Sequence, residues 1–267
     1  MKKLLLLIIM VLVAHASVPA GANPLDDSGT TSLKSRIVAK YAKATPREWG
    51  GKVSGVRSRI ATNEKVIALT LDACGSPKGM GYDAALISFL EKEQVPATLF
   101  INARWIGPNR ETFERLAATP LFEIANHGFE HKPASVSGKS AYGIQGTRSV
   151  EELVDEIELG AQKIAAITGT KPRFYRSGTA FYDEVAVRVA GELGEQVAGF
   201  SVLGDAGATW SSEQVSHALL SVSPGDMVIL HMNHPESGTA RGLINAIPEL
   251  KRRGYRFIRL SDYPLEQ

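Results

Sequence analysis

Val66-Ile67-Ala68-Leu69-Thr70-Leu71-Asp72 is the stretch that decides the fold: an unbroken apolar run of strand length, ending on a carboxylate. A strand with one solvated face alternates apolar and polar residues. A strand covered on both faces, as in a parallel sheet flanked by helices, reads as a continuous apolar run. Working outward, similar segments recur at Ala97–Asn102, Phe122–Asn126, Pro172–Arg176, Val197–Leu203, Asp226–His231 and Tyr255–Leu260. Helical spacing fills the intervals. Tyr82–Glu93 has apolar residues at Ala85, Leu86, Phe89 and Leu90, and further helices are expected near Arg110–Ala118, Ser149–Ile167, Asp183–Leu193 and Ser211–Leu220, with a last one running to Arg253 before Gly254. Ser149 with Glu152 three residues on has the capping-box pattern, and Asp183 is placed as an N-cap. Strands alternating with helices predict one α/β domain, either a barrel of strands wrapped by helices or an open doubly wound sheet.

The residues that follow each apolar run narrow the chemistry. They are Asp72, then Asn102, then Asn126 with His127, then Arg176, Asp205 and His231. In parallel α/β architectures the C-terminal strand ends open on one face, and reactive groups concentrate there. Each residue has a plainer reading. Asp72 could cap a turn, Arg176 could serve a structural ion pair, and Asp205, within Gly204-Asp205-Ala206-Gly207, could be a turn residue. His231 could be a satisfied core histidine, and His217 and His234 read as surface residues. The convergence of an aspartate pair, histidines and an arginine on strand ends is hard to explain by stability alone.

His127 and His131 carry the metal expectation. Three residues separate them, so a coil after the third strand would put both imidazoles on one face, near the separation needed to grip one ion. Glu130 beside them is placed to orient a ring or fix its tautomer. A metal there could polarise a carbonyl and lower the pKa of a bound water. Asp72 could be a third ligand or the base that takes the water's proton. His231 could protonate a leaving group, with Asp205 raising its pKa, and Arg176 could hold Asp72 ionised. The set fits hydrolysis of an amide or ester.

The rest of the chain sets bounds. Lys2 and Lys3 precede an apolar run, Leu4 to Val13, followed by Ala14-His15-Ala16 and Ala20-Gly21-Ala22. That run is half of what a membrane span needs, so residues 1–22 are expected to be a signal peptide, with export to the periplasm or beyond and no stable membrane anchor. Without those two lysines, 28 of the 30 basic residues remain against 28 acidic ones. No basic run stands out, which argues against a nucleic-acid partner. Residues 23–63, rich in Ser, Thr, Gly and charge, read as a leader packed on the domain edge with one short helix near Leu33–Tyr41; residues 64–267 read as the catalytic domain. Cys74 is the only cysteine, so no internal disulfide supports the fold.

The motifs in order resemble those of the NodB-homology polysaccharide deacetylases, carbohydrate esterase family four. Thr70-Leu71-Asp72-Ala73-Cys74-Gly75 is similar to motif one (T-F-D-D-G), and His127-Gly128-Phe129-Glu130-His131 to motif two (H-[ST]-x-x-[HN]). Arg176-Ser177-Gly178-Thr179-Ala180 loosely matches motif three (R-P-P-Y-G). Asp205 with Trp210 loosely matches motif four, and Leu230-His231 matches motif five. The resemblance spans roughly Val66 to Leu260. It implies a distorted (β/α)7 barrel, a divalent metal (usually zinc, sometimes cobalt, nickel or manganese), and removal of acetyl groups from carbohydrate. By the same resemblance the first Asp of motif one is the base, the second Asp and both histidines bind metal, and the motif-three Arg positions the base. The motif-five His protonates the amine, the backbone N–H at Thr179 helps hold the oxyanion, and Trp210 belongs to the substrate side.

The chain departs from the pattern where the metal-binding Asp becomes Ala73, which ligates nothing. Either Asp72 takes the third metal position, or Asp72 stays the base and two histidines with water hold the ion. Cys74 could offer a thiolate, but a cysteine beside a buried strand end is more often a small core residue, and it is read so. Gly128 replaces the usual Ser or Thr, and motif three lacks both prolines and the tyrosine. The expected protein is an exported, metal-dependent deacetylase of N-acetylated, less readily O-acetylated, glycan, with peptidoglycan the most economical substrate. A catalytically inactive carbohydrate-binding protein and a small-molecule amidohydrolase on the same barrel are the alternatives.

Overall fold

A computed structural model describes residues 27–266; the expected signal peptide, residues 1–22, lies outside the described residues. Strand β1 (Val66–Ala73) is central, and all eight of its residues are buried. Around it lie β2 (Ala97–Ile101), β3 (Phe122–Asn126), β4 (Phe174–Tyr175), β5 (Gln196–Val197), β6 (Val202–Leu203), β7 (Met227–His231) and β8 (Arg256–Ile258). The order across the curled sheet is β5-β4-β3-β2-β1-β7-β6, with β8 pairing β1 off that path. Every ladder between these strands is parallel. This is the distorted barrel expected, and it brings the strand ends onto one rim: in the β1–β7 register Asp72 lies beside His231.

The expected fifth strand, Val197–Leu203, is not continuous. It breaks into β5 and β6, the two ends of the sheet order. The cause is Arg176, whose Nε and Nη2 donate to the carbonyls of Ala198 and Gly199 at 3.1 and 2.8 Å. Those carbonyls serve a buried side chain instead of a ladder, so the barrel opens there.

Side-chain alternation on β1 divides the core. Ile67, Leu69, Leu71 and Ala73 join the large apolar layer that includes Leu86, Trp105, Leu219 and Leu243 from the surrounding helices. Val66 and Ala68 join an inner layer with Phe100, Met227 and Ile258 from other strands. Asp72 continues the inner set toward the rim.

Among the described residues, eight α-helices cover the sheet: α1 (Asp27–Tyr41), α2 (Ala84–Lys92), α3 (Ala103–Ile106), α4 (Arg110–Ala118), α5 (Val150–Thr168), α6 (Glu184–Glu192), α7 (Ser212–Leu220) and α8 (Thr239–Arg252). Ser149 caps α5 by accepting from the Glu152 N–H, and Asp183 caps α6 through Ala186. The Glu152 carboxylate does not close the expected box; it accepts from the Arg148 backbone and pairs with Lys132. A complete capping box is present at α7, between Ser211 and Gln214.

The leader helix α1 is longer than its weak periodicity suggested. Ile37 is buried against the apolar set of α5 and α6, and Lys34 bonds Asp155 of α5 at 2.8 Å. Residues 50–60 then run along the barrel, with isolated bridges from Gly50 to Tyr182, Arg57 to Ala198 and Ile60 to Leu265. Among the described residues, no helix is long and apolar enough to cross a membrane.

Candidate active site

Asp72, the penultimate residue of β1, has its side chain 3 % exposed, and Arg176, the residue after β4, donates from Nη1 to Asp72 Oδ1 at 2.7 Å. The guanidinium is fully buried. Two backbone carbonyls and the Phe100 ring, 4.1 Å from the guanidinium carbon, complete its surroundings. Burial pushes the Asp72 pKa up, but the charges of Arg176, His127 and His231 outweigh it and hold the carboxyl below its usual value. Asp72 is therefore an ionised carboxylate in a dry place, oriented by a side chain with no freedom of its own.

His127 begins the loop after β3 and is 1 % exposed. Its Nδ1 lies 3.0 Å from the Arg176 carbonyl, so that nitrogen carries the proton and donates, leaving the Nε2 lone pair free. Asn126 and Asn102 pin the loop. Asn126 Oδ1 accepts from the Gly128 N–H at 2.9 Å, and Asn102 Nδ2 donates to the carbonyls of His127 and Gly128, each at 2.9 Å.

The two histidines do meet, with ring centroids 4.9 Å apart, but no helical turn brings them together. The chain reverses through Gly128 at φ +78° and His131 at φ +63°, both left-handed. Glu130 does not orient either ring; it pairs with Lys132. The organiser is Glu156, buried on α5, which accepts from the backbone N–H of Glu130 at 2.8 Å and of Lys132 at 3.2 Å. A Cβ at Gly128 would stand 2.3 Å from Glu156 Oε1, which explains why no Ser or Thr occupies that position. A Cβ at Gly178 would stand 2.3 Å from the His131 backbone, so the motif-three loop also depends on a glycine to pass close.

Cys74 completes a trio. One donor atom each from Cys74, His127 and His131 lie within 4.8 Å of one another, and Cys74 Sγ is 3.7 Å from His127 Nε2. His131 Nε2 is buried and has no hydrogen-bond partner. Burial pushes the Cys74 thiol up, but the His131 charge and hydrogen bonds from the surrounding histidines bring it well below its ordinary value. Asp72, expected from the sequence as a possible third ligand, is not one of the trio: Oδ1 accepts from Arg176, and although Oδ2 is as near His127 Nε2 (3.7 Å) as the sulfur is, the donors that all lie within 4.8 Å of one another are those of Cys74, His127 and His131. Cys74, expected from the sequence to be a small packing residue, thus lies beside both histidines. Two imidazoles and a cysteine sulfur are a donor set suited to zinc.

Across the rim, His231 Nδ1 bonds Asp205 Oδ1 at 2.9 Å, and Asp205 Oδ2 accepts from the His231 N–H at 2.7 Å and from Thr239 Oγ1 at 2.9 Å. Asp205 is fully buried and is no ordinary turn residue. Burial pushes His231 down, but Asp205 overrides it and raises the imidazole well above its usual value. His231 keeps 13 % of its side chain exposed, enough to meet a substrate.

Thr179 sits in the turn closed by Ala180 N–H to Ser177 O at 3.0 Å, next to the glycine that touches His131, and its Oγ1 is buried without a partner. Trp210 is tied to Asp205 through its backbone N–H at 3.2 Å, while its ring packs on the outer apolar layer and lines a surface pocket with Gln214 and His217 of α7. Glu156 escaped the sequence reading, although a signal existed. It falls on the buried stripe of α5 with Leu153, Ile157 and Gly160, an acidic residue on an apolar face.

The polysaccharide deacetylase family model matches residues 59–198, which includes Asp72, the histidine pair and Arg176 and stops before Asp205 and His231. The chain is 27 % identical over 208 residues to the peptidoglycan-N-acetylglucosamine deacetylase of Bacillus cereus, covering 76 % of this chain and 90 % of the relative. It is 24 % identical over 214 residues to the peptidoglycan-N-acetylmuramic acid deacetylase PdaA of Bacillus subtilis, covering 77 % of this chain and 74 % of the relative. Among solved structures, it is similar to a carbohydrate esterase family four pseudoenzyme from Bacillus anthracis, with a TM-score of 0.65 at 22 % identity, over 77 % of this chain and 67 % of the other. A likeness at that identity speaks to the fold alone.

Proposed function

This chain belongs to the polysaccharide deacetylase family, and from that premise we propose that it is an exported, metal-dependent hydrolase that removes N-acetyl groups from peptidoglycan. The observation that carries the reading is the pairing of two buried devices on one rim. Arg176 holds Asp72 as an ionised carboxylate, and Asp205 holds His231 as a protonated imidazole beside it. A base and an acid whose environments drive their pKa values apart are what amide hydrolysis needs.

The roles follow from position. His127 and His131 hold the divalent metal, whose chemistry when bound is to polarise the acetyl carbonyl and make water more acidic. Asp72 accepts the proton of the attacking water as its oxygen bonds to the carbonyl carbon. The backbone N–H of Thr179 supports the oxyanion that forms. His231 gives its Nε2 proton to the nitrogen as the C–N bond breaks, releasing acetate and a free amine. Asp205 keeps Nδ1 as the hydrogen-bonded nitrogen throughout, so the exchangeable proton stays on the substrate side. The motif-four resemblance assigns Trp210 to the substrate side, although its ring here packs on the outer apolar layer beside α7.

Peptidoglycan is favoured because both bacterial relatives are named for acting on it. The charged and apolar N-terminal residues support export. The test is acetate release from N-acetylated glycan strands by the mature protein. Release that is lost in Asp72→Asn supports hydrolysis. Retained strand binding with no acetate from the parent protein at any metal loading would instead favour a binding protein, the reading that Ala73 recommends.

A further inference from the structure

We propose that Cys74 is a metal ligand, its thiolate supplying the third protein donor beside His127 and His131 in place of the carboxylate missing at Ala73. The inference rests on the metal reading above and names the donor on which that reading is silent.

Three observations converge on it. Cys74 is two residues beyond Asp72 and one beyond Ala73, whose methyl belongs to the apolar layer between sheet and helices. The chain thus offers its sulfur to the histidines where it offers only a methyl one residue earlier. Second, Sγ stands 3.7 Å from His127 Nε2. A tetrahedral ion with Zn–S near 2.3 Å and Zn–N near 2.0–2.1 Å separates its sulfur and nitrogen donors by about 3.6 Å, so these two atoms already have the spacing of ligands sharing one ion. Third, both imidazoles are prepared to ligate. His127 has its proton fixed on Nδ1 by the Arg176 carbonyl, and His131 has a buried Nε2 with no partner in the protein. A cysteine placed only to fill space would not need two histidines held in this way by a left-handed loop.

A thiolate ligand changes the chemistry that the site supports. It is softer than a carboxylate and favours zinc over the harder manganese or magnesium. It also frees Asp72 for Arg176 and for proton transfer, the base role of the two open to it.

The test uses the chain's single cysteine, since no other thiolate can contribute. The purified protein, stripped of metal and titrated with Co(II), is followed by absorption. Wild type should give visible d–d bands of a tetrahedral ion together with a near-ultraviolet thiolate-to-cobalt charge-transfer band. Cys74→Ser should lose the near-ultraviolet band and bind zinc at least tenfold more weakly, while keeping the wild-type circular dichroism spectrum; Asp72→Asn should keep the band. Zinc should also slow alkylation of the Cys74 thiol by at least tenfold. Visible bands without the charge-transfer band, or equal zinc affinity in Cys74→Ser, would overturn the thiolate assignment and leave the histidine site standing. Absence of any cobalt binding would overturn both.

Discussion

Arg176 Nη1 and Asp72 Oδ1 lie 2.7 Å apart, joined by a hydrogen bond between two charged groups that are both closed off from solvent. Removing the charge of the carboxylate while keeping its shape tests the base directly, with an added cost in stability because the buried Arg176 loses its counter-charge. Asp72→Asn retains an oxygen for Arg176 but has no basic site for a water proton. Acetate release is expected to fall roughly a thousandfold, with glycan binding preserved. A fall of less than tenfold would show that another group is the base.

The arginine is not exchangeable for lysine. Its fork serves Asp72, two carbonyls that would otherwise sit in a strand ladder, and the Phe100 face at once. A lysine ammonium is a point charge that cannot reach all of these. Arg176→Lys is expected to lose about 3 kcal/mol of stability, read as a Tm drop of about 6–12 °C. The Ala198–Gly199 interruption between β5 and β6 should become the first region to exchange amide protons.

His231 owes its raised pKa to Asp205, and the sign of the pH effect follows. The imidazole must carry a proton to act as the acid, so activity is present below its pKa and lost as pH rises through it. Asp205→Asn removes the neighbouring negative charge and lowers that pKa. The alkaline limb of kcat/KM should move down by about one unit or more, while the acid limb, set by Asp72, stays in place. An unmoved alkaline limb would assign that limb to a group other than His231.

The barrel and its rim were legible in the sequence because buried parallel strands and the polar residues that end them are local patterns. Asp72, His127, Arg176, Asp205 and His231 could each be named from the residue that follows an apolar run. What lay beyond reach depends on atoms from distant segments. The break at Ala198–Gly199 is caused by a side chain 22 residues upstream. The histidine pair meets through left-handed backbone held by Glu156, which no helical spacing predicts. Cys74 looked like packing because its neighbours, His127 and His131, are more than fifty residues away.

Glu156 and Gly128 should behave as a coupled pair. The space that a serine side chain needs at position 128 holds the carboxylate that accepts from Glu130 and Lys132. Gly128→Ser restores the family's residue yet displaces that carboxylate and forces a left-handed φ on a residue with a Cβ. Zinc affinity is expected to fall by roughly ten- to a hundredfold as the His131 loop loosens, measured by competition with a chelating dye. Unchanged affinity would mean that the loop holds His131 without Glu156.

Glu195 offers a test of stability at a buried group that does not face the rim. It is 1 % exposed, takes one hydrogen bond from Asn126 Nδ2 at 3.0 Å, and leaves its other oxygen buried without a partner. Burial, only partly offset by Asn126 and Lys171, pushes its pKa up to about 8 from an ordinary 4.5. Below the ordinary value both folded and unfolded chains hold the proton, and the group is neutral in its effect. As pH rises from about 4.5 to about 8 the unfolded chain ionises first, so folding stability falls across that window and then levels off. Glu195→Gln keeps the shape and the bond from Asn126 but cannot ionise. It should match the parent at pH 4.5 and be more stable than the parent at pH 8, with a Tm difference that grows steadily across the window. Parallel Tm profiles for parent and variant across the whole range would show that Glu195 keeps an ordinary pKa, and that its unpaired oxygen is solvated in the folded protein.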